Sequence, residues 1–310
     1  MIDDAQLIAL TACVSLGIAI QGGGTCLVTA IEEFSNGQFE RCLALLETIL
    51  WVTLLVGFTR FFGFHLVPAP QVGQSLSVLI GGIMLGLGAS LNGACALGTL
   101  ARIGSGQWHY FLTLIGIMLA MQGAASTGIM THAGQSKSSI ANVELLLAGS
   151  AALLVAIRWL TPRSWVDDRG CSGGKEFKLA TVAMGLSFSI IFLTVGPWSY
   201  TGALFQLAHD GPIAHKYNLL LVSALIGGTI AGGWTASRRA DHGQRPGFIR
   251  LGKCLLGGML MGVGGSLVPG GNDQLVLLNA PMFEPFAWIA LAAMTTTISV
   301  FVFLRRQFDR

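Results

Sequence analysis

Charged side chains are scarce in this chain of 310 residues: 11% are Asp, Glu, Lys or Arg, 53% are hydrophobic, and the mean hydropathy is +0.67. Soluble proteins carry about 25% charged residues, so this chain has too few to cover a surface that faces water. The net charge is only +3 and no basic run is interleaved with aromatic residues, which excludes a nucleic-acid-binding protein. The composition predicts an all-α integral membrane protein whose main surroundings are the lipid bilayer.

The motifs of common enzyme classes are also missing. The sequence contains no nucleotide-binding glycine loop and no Ser-His-Asp pattern. Its six cysteines form no CxxC pair, and its six histidines are scattered. We therefore expect no enzymatic activity, no cofactor and no metal site.

Nine hydrophobic segments approach the length of about 17–25 residues that a transmembrane helix needs. They cover 5–21, 43–61, 76–93, 109–130, 141–159, 179–196, 217–236, 251–268 and 285–304. Lys and Arg concentrate between the fifth and sixth segments, between the seventh and eighth, and at the C-terminus. The positive-inside rule places these regions in the cytoplasm and the N-terminus outside.

A glycine-rich pattern occurs twice in the chain. The first copy is Gly81, Gly82, Gly86, Gly88, Ser90 and Leu91, and the second is Gly257, Gly258, Gly262, Gly264, Ser266 and Leu267. Four segments before and four after an unpaired fifth segment match in order, so the second set runs opposite to the first. This predicts two inverted repeats, 1–135 and 179–310, joined by a spacer helix and basic cytoplasmic linker, 136–178.

Each half also contains two places where polar or glycine residues interrupt a hydrophobic segment. The expected helix-break glycines are Gly22, Gly23, Gly24, Gly93, Gly196, Gly270 and Gly271. We interpret the short apolar stretches 26–31 and 201–208 as half-helices that dip into the membrane. The N-terminus of such a helix presents free N–H groups and a positive dipole end, which favour an anion.

The residues at these breaks are the candidate substrate path. Cys26 and Cys95 each follow a glycine turn, and a thiol there suits a soft, polarisable sulfur ligand. The other four cysteines outside this path are interpreted as small apolar residues. The remaining path candidates are Thr25, Asn92, Trp198, Asn272, Asp273 and Arg102. For Asp273 we favour a helix-capping role, and for Arg102 a contact with an exiting anion or an interfacial anchor.

The residues around these breaks resemble the YeeE/YedE family of bacterial inner-membrane proteins. The resemblance lies in CLVTAI (26–31), NGACALGTLARIGSG (92–106), GMLMG (258–262) and PGGND (269–273). It implies an hourglass-like fold and uptake of thiosulfate, which cysteines on a central path pass inward by S–H···S hydrogen bonds. It also implies a cytoplasmic sulfurtransferase partner. Thiosulfate-transporting members place a further cysteine where this chain has Gly271, Asn272 and Asp273.

Three functions are open at this point. The first is a permease for a small sulfur-containing anion, with thiosulfate the leading substrate. The second is a permease for a different sulfur or selenium compound, which the missing third cysteine suggests. The third, of another class, is a membrane thiol redox protein, which would require a second cysteine close to Cys26 or Cys95.

Overall fold

The structure is a computed structural model that describes residues 3–62, 76–128, 143–160, 174–211, 214–235, 247–268 and 270–308. Within these ranges it consists of helices and turns, with no strand. The helices are α1 (Asp4–Gly23), α2 (Leu27–Phe34), α3 (Glu40–Phe61), α4 (Leu76–Asn92), α5 (Ala96–Gly104), α6 (Phe111–Ser126), α7 (Val143–Leu160), α8 (Gly174–Val195), α9 (Tyr200–His209), α10 (Lys216–Thr235), α11 (Phe248–Leu267), α12 (Asn272–Gln274) and α13 (Pro285–Phe308). A 3₁₀ turn (Trp108–Tyr110) precedes α6, and a π-helical turn (Leu275–Asn279) follows α12.

The predicted membrane class is confirmed. Each of the nine predicted segments overlaps a long helix, and the described residues contain seven runs that are long and apolar enough to cross a membrane. An eighth is added if α8 and α9, which are bent by 41° at their break, count as one span. The chain is therefore a multi-pass membrane protein, while the count of nine spans stays a prediction. The basic linker at 161–173 and the basic positions at 238–245 lie outside the described residues.

The first two breaks lie inside long apolar runs. Helices α1 and α2 together form one run of 31 residues, and α4 and α5 form another of 29 residues. That the short helix after the first break dips into the membrane stays a prediction.

Helices α4 and α11, which carry the two copies of the glycine pattern, pack against each other in antiparallel orientation. Gly81 lies against Gly264, and Gly88 against Gly257. A Cβ on Gly88 would come within 2.6 Å of the Gly257 carbonyl oxygen, so only glycine permits this approach. Small residues allow close backbone contact between membrane helices, where van der Waals packing drives association.

The outer flanks of these two helices pack in a matching way. Helix α4 contacts α13, and α11 contacts α6. The glycine contacts are Gly82 with Ala290, Gly86 with Thr297, Gly258 with Thr113, and Gly262 with Ile117. The same relation holds further out, since α1 contacts α10 and α8 contacts α3.

Each of the four breaks contains one glycine in the left-handed region. These are Gly24 (φ 55°), Gly93 (φ 75°), Gly196 (φ 94°) and Gly270 (φ 88°). A residue with a Cβ is strained in this conformation, whereas glycine adopts it freely. The breaks that the sequence predicted are thus real turns in the backbone, and each one starts a new helix.

Candidate functional site

The two breaks of the first half meet at a pair of thiols. Cys26 stands immediately before α2 and Cys95 immediately before α5, as the N-cap residues of those helices. Their side chains are neighbours and are buried, with 7% and 0% of their surfaces exposed. Gly98, one turn into α5, packs against Cys26, because a Cβ there would lie 2.8 Å from the Cys26 Cβ.

The two breaks of the second half meet through hydrogen bonds. The Asp273 carboxylate accepts the Thr201 backbone N–H at 3.2 Å and the Thr201 hydroxyl at 2.5 Å. The Thr201 hydroxyl also accepts the Gly271 N–H at 3.1 Å. Because Thr201 lies in the first turn of α9, Asp273 caps that helix, as the sequence analysis favoured.

A second hydrogen bond holds the same pair together. The Ser199 hydroxyl is the N-cap of α9, accepts the Gly202 N–H at 3.1 Å and donates to the Gln274 side-chain oxygen at 3.0 Å. Helices α9 and α12 are therefore joined at their N-termini by side chains that are all buried.

Tyr200 connects the two pairs of breaks. Its hydroxyl donates to the Ala96 carbonyl at 2.7 Å, directly after Cys95. A cavity of about 10 Å³ lies at this junction. It is lined by Leu97 of α5, by Trp198, Ser199, Tyr200, Asp273 and Leu277 of the second half, and by Leu16, Ile20, Phe188 and Leu225 of α1, α8 and α10. The cavity therefore lies beside the second, third and fourth breaks, and it has room for about one water molecule.

Three predicted path residues carry buried polar atoms without a hydrogen-bond partner among the described residues. They are the Thr25 hydroxyl, the Trp198 indole N–H and the Asn272 side-chain oxygen. Each residue is at most 7% exposed. Buried polar groups are nearly always paired in native proteins, so an unpaired one requires a reason, such as contact with water or a ligand.

Asn92 lies at the turn before Cys95, and its predicted place on the substrate path stays a prediction. Its amide donates to the Ala94 carbonyl at 2.9 Å and to the Thr99 hydroxyl at 3.1 Å, and accepts from the Thr113 hydroxyl at 2.8 Å. These bonds occupy both ends of the side chain. Asn92 therefore shapes the turn that presents Cys95.

Two of the predicted break glycines differ from the expectation. Gly22 and Gly23 belong to the last turn of α1 and face Ala180 and Met184 of α8 at ordinary contact distance. Gly24 alone makes the turn. A run of glycines does not indicate which one leaves the helix, because that depends on packing against a distant segment.

Arg102 lies in the last turn of α5, seven positions after Cys95, with its guanidinium carbon 5.9 Å from the centre of the Tyr110 ring. Several residues of the site were missed by the sequence analysis: Gly98, Ser199, Tyr200, Thr201, Gln274 and the fully buried Asn279. Ser199 alone had a local signal, a serine directly before a helix. The others are set by contacts between segments far apart in the chain.

The sequence is similar to proteins of sulphur transport. A family profile described as sulphur transport matches residues 22–169, a stretch that begins at the first break and contains both cysteine turns. This match confirms the YeeE/YedE resemblance. The chain is also 26% identical to the thiosulfate transporter TsuA of Escherichia coli (strain K12), over 94% of this chain and 93% of that protein. It is 24% identical to the thiosulfate transporter TsuA of Spirochaeta thermophila, over 88% of this chain and 91% of that protein.

Proposed function

We propose that this protein is a membrane permease for thiosulfate. The observation that carries the proposal is the buried pair of thiols, Cys26 and Cys95, at the junction of four helix breaks. The relatives named as thiosulfate transporters cover nearly the whole chain, which supports the same substrate.

The site has the two kinds of contact that thiosulfate needs. Its terminal sulfur is soft and polarisable, and a thiol is a weak hydrogen-bond donor that suits such an atom. Its charged end requires stronger donors, which the uncapped N-termini of α2 and α5 supply next to the two thiols. The N-terminus of α9 is already occupied, because Asp273 and Ser199 accept its Thr201 and Gly202 N–H groups. Helix N-termini favour anions through their free N–H groups and positive dipole ends.

Asn272 takes the position of the third cysteine that the resemblance implies. Its amide donates hydrogen bonds, and its side-chain oxygen has no partner among the described residues. A ligand group that reaches the second pair of breaks therefore meets an amide rather than a thiol. We propose that two thiols and this amide suffice for thiosulfate.

The cavity of about 10 Å³ is too small for thiosulfate, so transport requires the breaks to separate. The bonds between Asp273 and Thr201, and between Ser199 and Gln274, are the ones that must open on the side of the second half. We therefore propose that this structure is a closed state of the permease.

Two inverted repeats, 1–135 and 179–310, would place these breaks in opposite directions around the junction. The matching contacts of α4 with α13 and of α11 with α6 support this arrangement. We further propose a bacterial inner-membrane location with the N-terminus outside, the C-terminus in the cytoplasm, and a sulfurtransferase that receives the substrate there. These last three points rest on the positive-inside rule and on the family resemblance.

One observation favours a second candidate, a membrane thiol redox protein. The structure brings Cys26 and Cys95 into contact, which is the condition that this reading required. In that case the two thiols would change oxidation state during the protein's activity.

The test is uptake of radioactive thiosulfate by vesicles that contain the purified protein. Cys26→Ala and Cys95→Ala should each reduce uptake to the level of empty vesicles. Cys13→Ala, which removes a buried thiol from the middle of α1, is the matched control and should transport normally. No uptake by the correctly inserted wild type would reject thiosulfate and lead to selenium and other sulfur compounds. Loss of free thiols during turnover would favour the redox protein.

A further inference from the structure

A second polar cluster lies beside the Cys95 turn. Arg102, at the end of α5, and Arg250, in the first turn of α11, both approach the ring of Tyr110. Their guanidinium carbons are 5.9 Å and 5.4 Å from the ring centre. Two arginines that are 148 positions apart in the sequence thus share one aromatic ring, which is an arrangement that only the fold creates.

This cluster is joined directly to the backbone that presents Cys95. Arg250 donates a hydrogen bond to the Tyr110 hydroxyl, which in turn donates to the Asn92 carbonyl at 3.4 Å. The Arg250 guanidinium also lies 3.5 Å from the position that a Cβ on Gly93 would take. Only Ala94 separates Gly93 from Cys95, so the Arg250 guanidinium lies beside the short turn that presents the thiol.

The two arginines have no carboxylate partner among the residues that the structure describes. Arg41, by contrast, is paired with Glu33 at 2.8 Å, and Arg306 donates to the Ser35 carbonyl at 2.9 Å. Arg102 and Arg250 are both partly buried, where an unpaired charge is costly. The Nε2 atom of the neighbouring His109 is also buried without a partner in the described part of the chain.

We propose that Arg102 and Arg250 form an oxyanion site at the mouth of the path next to Cys95. A guanidinium binds the oxygens of a sulfonate or phosphate group in bidentate fashion. The assignment of the ligand rests on the proposed function: it is the transported anion, whose oxygens contact the arginines as its soft sulfur leaves the thiol pair. A phospholipid headgroup has the same chemistry and is the other possible source of the oxyanion.

The experiment measures thiosulfate and sulfate binding to the purified full-length protein by titration calorimetry in uncharged detergent. Arg102→Gln and Arg250→Gln should each weaken binding of both anions by about tenfold, the effect of losing a charge-assisted hydrogen bond. Lys253→Gln is the matched control, because it removes the same charge from an exposed position one turn along α11. Its affinity should stay within about twofold of wild type.

Arg250→Lys is included as the variant that keeps the positive charge. A monodisperse peak in size-exclusion chromatography shows that each variant is folded. Sulfate has no soft sulfur, so loss of sulfate binding in Arg102→Gln supports the site even if the wild type fails to transport thiosulfate. The site would be assigned to a lipid headgroup by the following result. Phosphatidylglycerol stabilises the wild type against heat, the same variants lose this stabilisation, and their anion binding is unchanged. Equal binding and equal lipid stabilisation in all variants would overturn the proposal.

Discussion

The two pairs of helix breaks have opposite chemistry. In the first half, the turns at Gly24 and Gly93 present two thiols that contact each other, and the Thr25 hydroxyl beside them has no partner in the described residues. In the second half, the turns present a carboxylate and a hydroxyl, Asp273 and Thr201, that are bonded to each other. Thiols bind weakly and are readily exchanged for a ligand, whereas charge-assisted hydrogen bonds hold two helices together.

This difference separates two tasks that a permease must perform. The thiol pair is suited to choosing the substrate, because weak, soft contacts favour a sulfur atom and cost little to break. The polar pair is suited to keeping the path closed, because its bonds lie in a buried, low-dielectric region where they are strong. Substitutions in the first pair should change transport with little change in stability, and those in the second pair should change stability first.

The largest effect is expected at Gly98, which holds the thiol pair in place. Gly98→Ala would push a Cβ into the Cys26 side chain, so uptake should fall to the level of empty vesicles. Gly123→Ala, in α6, is the control because nothing lies within 4 Å of the added methyl group. Normal uptake by Gly98→Ala would show that the contact between Cys26 and α5 is unimportant for transport.

The next largest effect is expected at Asn272, where a cysteine would make the second pair of helix breaks chemically more like the first. Asn272→Ala should reduce thiosulfate uptake by about tenfold, because a hydrogen-bond donor to the anion is lost. Asn272→Cys should restore uptake, because a thiol also donates a hydrogen bond. Asn218→Ala, at a partly exposed position of α10 whose amide donates to Gln206 of α9, controls for loss of an amide outside the path. Unchanged uptake by Asn272→Ala would remove this residue from the path.

A smaller effect is expected at Thr201, and it concerns stability. Thr201→Val removes the hydroxyl that bonds Asp273, which should lower the free energy of unfolding in detergent by about 1–3 kcal/mol. The measurement is thermal unfolding of the purified protein. Thr194→Val is the control, because its hydroxyl bonds only within its own helix, to the Ile190 carbonyl at 2.8 Å. An equal loss in both variants would contradict a special role for the polar pair.

The smallest effect is expected at the exposed Asp210, outside both pairs. Hydrogen bonds from His209 and then His215 lower the pKa of this carboxyl. A lowered pKa stabilises the folded state above the ordinary value of about 3.9, and this contribution is lost as the pH falls through the lower folded-state value. Asp210→Asn should therefore lower the melting temperature slightly at pH 7, and the difference from wild type should vanish in strong acid. A difference that grows on acidification would have the wrong sign for this interaction.

The sequence predicted the parts of this protein that depend on local patterns. Scarcity of charge predicted the membrane class, the repeated glycines marked the two helices α4 and α11, and the turns before Cys26 and Cys95 predicted two thiols at helix N-termini. Asp273 was also assigned correctly as a cap. The expected helix break at Gly22 and Gly23 was wrong, because α1 continues through both glycines, while the path role of Asn92 stays a prediction.

By itself, the sequence determined where the chain can cross a bilayer and where its helices must break, because hydrophobic length and a glycine in the left-handed region are local properties. Only the tertiary structure decided that the four breaks meet, that Cys26 contacts Cys95, and that Arg250 lies with Arg102 on the ring of Tyr110. These contacts join segments separated by tens to more than a hundred residues. They depend on which helix faces pack closely enough to exclude lipid, and the local sequence pattern does not specify those faces.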